Sequence, residues 1–108
     1  MSDFQVVLCN CPTLTLAEQI AQYLVEEKLA ACVNIIPNVQ SFYWWENQLV
    51  KDQEITLLIK TTQHCFNDLE NVIKKYHTYQ TPEIIALPIT NGHQPYLTWL
   101  NKNTRNPA

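Results

Sequence analysis

A chain of 108 residues has room for one domain, 1–108, and its ten acidic against seven basic residues leave a net charge of −3 and no electrostatic footprint for nucleic acid, the longest cationic run being Lys74-Lys75. A single glycine, Gly92, stands where an average chain of this length carries about seven or eight; this excludes a P-loop, a dinucleotide-binding turn and a kinase-type loop, which need several glycines to bring backbone N–H groups onto phosphate. Although 46% of the residues are hydrophobic, no stretch approaches the roughly 18 consecutive apolar residues of a membrane helix, and the acidic start MSDFQVV lacks the basic segment of a secretion signal.

The run from Phe4 to Cys11 opens with FQVVLC and is closed by Pro12. Its unbroken apolar character predicts a central strand buried on both faces. Thr15-Leu16-Ala17-Glu18 has the capping-box pattern, so a helix is predicted from about Thr15 to Leu29, with Ala17, Ile20, Ala21, Leu24 and Val25 on its buried stripe. Cys32 to Trp45 is β-branched and aromatic, and it meets a second extended run, Val50 to Thr62, across Glu46-Asn47-Gln48-Leu49. Together they predict a long hairpin, with Pro37 marking a bulge or an edge because it cannot donate to a ladder. In the second arm Ile55, Leu57 and Ile59 share one face, and Glu54, Thr56, Leu58 and Lys60 the other. At about 3.3 Å per residue that arm runs roughly 43 Å, longer than a domain of this size can cover.

A second helix is expected from about Cys65 to Tyr76, with Cys65, Leu69, Val72, Ile73 and Tyr76 on one face. Thr81-Pro82 opens a short run whose Pro88 predicts an edge strand, and a last helix starts at Pro95 with Tyr96, Trp99 and Leu100 on one side. The polar tail from about Asn101 is expected to fray. Strand, helix, strand, strand, helix, strand, plus a short C-terminal helix, is the order of an α+β ferredoxin-like sandwich, βαββαβ, with both helices on one face of an antiparallel sheet. The other face would carry a share of Phe42, Tyr43, Trp44, Trp45 and Leu58, too large an apolar area for a monomer to leave in water. An obligate oligomer follows, with the hairpin reaching a neighbour.

The four cysteines, Cys9, Cys11, Cys32 and Cys65, read as reduced thiols of a cytoplasmic protein, since the chain is apolar enough to fold without staples. Period two sets Cys9 and Cys11 on one side of their strand. That pair offers two soft metal ligands, or simply two small thiols filling a strand end. Cys32 lies at a helix-to-strand corner among small residues and reads as core filler. His77 ends the second helix, where its imidazole either binds a metal or sits at the negative end of the helix dipole; His64 and His93 fall at helix starts and are expected to be exposed. Only tertiary folding brings His77 to a cysteine. Glu54 and Lys60 are about 20 Å apart along their strand and cannot pair, so each faces solvent or meets another subunit. Glu83 is expected to hydrogen-bond turn amides at the entrance of its strand.

Five segments in order, EEKLAACVNIIP (Glu26 to Pro37), SFYWWEN (Ser41 to Asn47), LLIKTT (Leu57 to Thr62), YQTPEIIALPI (Tyr79 to Ile89) and YLTWL (Tyr96 to Leu100), closely resemble the CutA family of divalent-cation tolerance proteins. The resemblance implies a ferredoxin-like subunit in a tight homotrimer, a role in tolerance to copper and other divalent cations, and no enzymatic reaction. It implies that Cys9 and His77 hold the metal, Cu(II) or a similar divalent cation, without tight binding. Tyr76 stands where such proteins carry a second histidine, and a phenol, protonated up to a pKa of about 10, is the poorer ligand. Asn47 replaces a glycine at the hairpin tip, a place whose left-handed backbone asparagine tolerates. Thr78 replaces a proline. Lys60, Glu54, Tyr79 and Trp45 match positions that in such trimers line the inter-subunit clefts, where Lys, Glu and Tyr among aromatics have the character of a small anionic ligand site. A ligand-sensing trimer similar to the nitrogen-regulatory signalling proteins, and a purely structural trimer read by a protein partner, are the alternatives.

Overall fold

In a computed structural model, which describes residues 3–105, four antiparallel strands form one sheet in the order β2-β3-β1-β4, with three helices, an α+β fold. Strand β1 (Phe4–Cys11) is central, between β3 (Gln48–Thr62) and the four-residue β4 (Ile85–Pro88). It is not buried on both faces: Val7, Cys9 and Cys11 are fully buried, whereas Val6, Leu8 and Asn10 are half-buried. The helices cover only the first set. Helix α1 (Leu14–Glu26) and helix α2 (Phe66–Tyr76) pack Leu16, Ala17, Ile20 and Leu24, and Leu69 and Ile73, onto Val7, Cys9, Leu57 and Ile59 as one core.

The start of α1 differs from the expected capping box. Thr13, not Thr15, is the N-cap, its Oγ1 accepting from the Leu16 amide at 3.2 Å, while Thr15 and Glu18 are exposed. The shift brings Leu16 into the buried stripe and leaves Val25 at 42% exposure. The helix stops three residues before Leu29, because Lys28 turns into the left-handed region (φ 57°) and the Leu29 and Ala30 amides both return to the Leu24 carbonyl. Leu29 is thereby buried without being helical.

Strand β2 (Cys32–Trp45) pairs with β3 along almost its whole length. The ladder breaks between Ile36 and Val39, at Pro37, with Asn38 at φ 61° and its Oδ1 accepting from Gln53 at 2.9 Å. The turn is tighter than the four residues expected: Gln48 and Leu49 remain in the ladder opposite Trp45 and Trp44. Only Glu46 and Asn47 turn, at φ 51° and 63°, the left-handed pair that a two-residue hairpin requires. The long dimension of the subunit is 44 Å against 25 and 21 Å across, and at the outer end of the hairpin Phe42, Trp44 and Leu49 are each more than 60% exposed.

A 3₁₀ turn, Gln63–Cys65, precedes α2, which therefore starts at Phe66. Strand β4 begins at Ile85, four residues beyond Thr81, and as expected lies at the sheet edge. In helix α3 (Gln94–Lys102) Leu100 is buried, and the Tyr96 and Trp99 rings lie 5.5 Å apart on the exposed side. Gly92 precedes that helix where a Cβ would press to 2.9 Å on the Leu97 side chain. The tail is not frayed from Asn101: the helix reaches Lys102, buried Thr104 donates its hydroxyl to Leu100 and Asn101 carbonyls, and Arg105 pairs with Glu27 at 3.0 Å. Residues 106–108 of that tail lie outside the described residues.

Thr13→Ala is expected to cost about 1 kcal/mol of stability, the usual value of an N-cap hydroxyl, and Thr15→Ala much less. Thermal unfolding of the two variants side by side checks the assignment; equal losses would contradict it.

Candidate functional site

Alternation along β1 sends Cys9 and Cys11 to the helix side and Asn10, between them, to the other. Helix α2 ends beside this strand terminus, where His77 is the C-cap, its amide bonded to the Ile73 carbonyl at 2.8 Å. The cap leaves helical geometry (ψ 143°) and brings the imidazole to the thiols: ligand atoms of Cys9, Cys11 and His77, all three buried, lie within 4.8 Å of one another. Cys9 and His77, expected together only from the resemblance, are thus neighbours. Cys11 joins them. Cys32, half-buried at the start of β2, is not part of the group, and Tyr76 instead packs its ring on Tyr23 at 5.4 Å.

The two thiols differ in acidity. The hydrogen bond with Cys11, helped by burial, pushes the Cys9 thiol far up, while the bond from Cys9 lowers Cys11, which is the first of the pair to ionise. The imidazole is held by both nitrogens. The Tyr79 amide donates to Nδ1 at 3.1 Å, so the ring proton sits on Nε2, which donates to the Asn10 carbonyl at 2.7 Å. Two sulfurs and one nitrogen are a soft donor set, suited to copper or zinc rather than to a hard ion. They fit such a cation in type and spacing, but coordination must release a thiol proton and break one imidazole hydrogen bond.

On the other side of Asn10 lies a cleft of about 500 Å³, lined by Asn10, Tyr43, Trp45, Glu54, Glu83 and the segment 78–81. Tyr79 donates its hydroxyl to Glu54 Oε2 at 2.7 Å and Tyr43 donates to Asp52 Oδ2 at 2.5 Å. The Asn10 side chain accepts from Thr56 at 2.7 Å and donates to Glu83 at 3.4 Å. Glu83 is therefore turned to a side-chain amide rather than to the turn amides expected of it. Glu54 is 5% exposed, not on a solvated strand face. Within one subunit Trp45, Glu54 and Tyr79 line a common cleft, and Lys60 lies six residues of extended strand away from Glu54. The wall that this subunit contributes holds no Lys or Arg. Asn10 and Tyr43 were not singled out by the sequence, although strand alternation was a usable signal for both: Asn10 lies opposite its two cysteines and Tyr43 shares a face with Trp45.

Residues 5–103 match the family model described as CutA1 divalent ion tolerance protein. The chain belongs to this CutA1 family. The divalent-cation tolerance protein CutA of Thermus thermophilus is 51% identical over 100 residues, 93% of this chain and 97% of that protein, and that of Escherichia coli K12 is 42% identical over 93% and 89%. Among solved structures, CutA1 of Thermus thermophilus superposes with a TM-score of 0.92 at 50% identity, covering 94% of this chain and 99% of its own. CutA1 from the psychrotrophic Shewanella sp. SIB1 gives 0.94 at 36% identity, with 97% and 98% covered. The strand order and long hairpin described above are thus features of a CutA1 subunit.

The phenols of this CutA1 cleft carry a pH signature. Its hydrogen bond to Asp52 pushes Tyr43 from the ordinary 10 up to about 12. A folded pKa above the unfolded one means that the contribution of this bond is fully present below pH 10 and is lost as pH rises toward 12. Ultraviolet titration of phenolate, with Tyr43→Phe subtracted, is expected to place this step near 12 and to move it toward 10 in Asp52→Asn. A step already at 10 in the unaltered protein would contradict the bond.

Proposed function

We propose that this CutA1 protein acts in tolerance to divalent metal ions by binding copper, or a similar cation, weakly and reversibly at Cys9, Cys11 and His77. The observation that carries this is the convergence of two thiols and one imidazole within 4.8 Å in a chain of the divalent-cation tolerance family. The sulfur pair is softer than Cu(II) alone would ask for, so the proposed site takes copper most readily as Cu(I). Cys11 supplies the donor that Tyr76 does not. The proposed role is a binding one, without catalytic turnover, in the cytoplasm, where thiols stay reduced. The acidic wall of the cleft gives no support to an anion-sensing role.

The proposed assembly is a homotrimer of ferredoxin-like subunits. Its support is the apolar surface left on the hairpin, with Phe42 at 63%, Trp44 at 71% and Leu49 at 64% exposure, more than an isolated soluble subunit ordinarily leaves in contact with water.

Calorimetric titration of the metal-free protein with copper, in the presence of a thiol-free reductant, is expected to give a saturable isotherm that disappears in a Cys9→Ala, His77→Ala double variant. Cys11→Ala alone should weaken binding by about tenfold or more, since even ~1.4 kcal/mol from one ligand changes a binding constant tenfold. An isotherm unchanged in the double variant rejects the site. Light scattering at micromolar concentration is expected to give three times the 12.6 kDa chain mass; a monomer mass rejects the trimer.

A further inference from the structure

The thiols of β1 are equipped to do more than hold a cation. Cys9 and Cys11 are free, hydrogen-bonded to each other and fully buried in the core that α1 and α2 close. They lie on the helix side of the sheet and within one chain, so the pair is complete without a second copy. The other two cysteines are engaged elsewhere. Cys65 accepts from the Thr62 hydroxyl at 3.4 Å and donates to the Arg105 carbonyl at 3.6 Å, and Cys32 opens β2.

Two thiols in contact are a two-electron reductant. Two residues of strand span about 6.6 Å, at the upper end of the roughly 4.4–6.8 Å over which a disulfide bridges Cα atoms, so a bond between Cys9 and Cys11 requires the strand to draw in. The end of β1 allows this. Beyond Leu8 it is paired on one edge only, by β3, and Cys11 is its last residue, followed by Pro12, which has no N–H to hold. A disulfide closed at such a cost is of the strained, easily reduced kind. The imidazole of His77 supplies a nitrogen donor beside the sulfurs, where a Cu(II) ion finds its own ligand type next to atoms that favour Cu(I).

We propose that the Cys9–Cys11 pair reduces Cu(II) to Cu(I) and closes to an intrachain disulfide. The thiols give up two electrons and two protons as the Sγ–Sγ bond forms, and two Cu(II) ions, substrate and oxidant at once, take one electron each. The exchange is stoichiometric, two ions per chain. It also ends soft-metal binding, because the disulfide removes both thiolate donors and leaves His77 alone to hold Cu(I). The inference rests on the reading that copper reaches this centre, and goes beyond it in making the thiols the reductant.

The test adds Cu(II), without air or reductant, to the reduced, metal-free protein carrying Cys32→Ser and Cys65→Ser, so that only the β1 thiols remain. The expected result is loss of the Cu(II) paramagnetic signal from two ions per chain, loss of both thiols, a mass lower by two hydrogens and a Cys9–Cys11 link in the peptide map. Reduced glutathione should restore both thiols. Adding Cys11→Ala should abolish the link and most of the reduction. If the double-serine background does not fold, the same readouts apply to the unaltered chain, where two of the four thiols should survive. An undiminished Cu(II) signal, a link that involves Cys32 or Cys65 or joins two chains, or reduction undiminished by Cys11→Ala overturns the proposal. Separate titration with Cu(I) tells its failure from that of the site. Cu(I) held while Cu(II) stays unreduced overturns the redox step alone, whereas binding of neither ion rejects the centre and the step with it.

Discussion

The two-residue period of β1 is the constraint on which the functional end of the subunit depends. The strand is pinned on both edges, by β3 along all eight of its residues and by β4 along four, so it cannot rotate or slip. Cys9 and Cys11 must then face the helices and Asn10 must face away from them. A thiol centre and an acidic cleft are placed back to back, with one residue of backbone between them. A slip of one residue would exchange the two faces, burying an amide among Leu57 and Ile59 and putting both thiols into the cleft.

The second determinant is where α2 stops. Ile73 and Leu69 anchor the helix in the core, and the chain leaves helical geometry at His77. The extended cap throws the imidazole back toward the end of β1, and two residues later Tyr79 reaches Glu54. The segment from 77 to 83 therefore furnishes both sites, although it holds no regular structure before β4 begins at Ile85. Its order comes from side chains: the His77 and Tyr79 rings lie 4.7 Å apart, and each is tied to a strand by a hydrogen bond.

The elements were legible in the sequence wherever one physical rule acted alone. The bounds of β1, the break at Pro37 and the edge position of β4 followed from apolar runs and from proline's missing donor. Where two local signals competed, the stronger-looking one lost. Thr15 and Glu18 have the capping-box spacing, yet Thr13 caps α1, because burial of Leu16 sets the cap two residues earlier. Pairing also overrode turn composition, since Gln48 and Leu49 are drawn into the ladder by Trp45 and Trp44. The site was half legible. Cys9 with Cys11 and the distance of Lys60 from Glu54 are matters of strand period, but the approach of His77 and the burial of Glu54 are tertiary facts, set by a segment far along the chain. Glu54 reads as a surface residue until Tyr79 is laid over it.

The imidazole of His77 has no idle nitrogen: one accepts from Tyr79 and the other donates to Asn10. Both partners belong to the cleft wall, so coordination through either nitrogen would release one of these two contacts. The ring thus fastens the thiol cluster to the wall on the opposite side of β1, so that the two faces of the strand are joined through a single side chain.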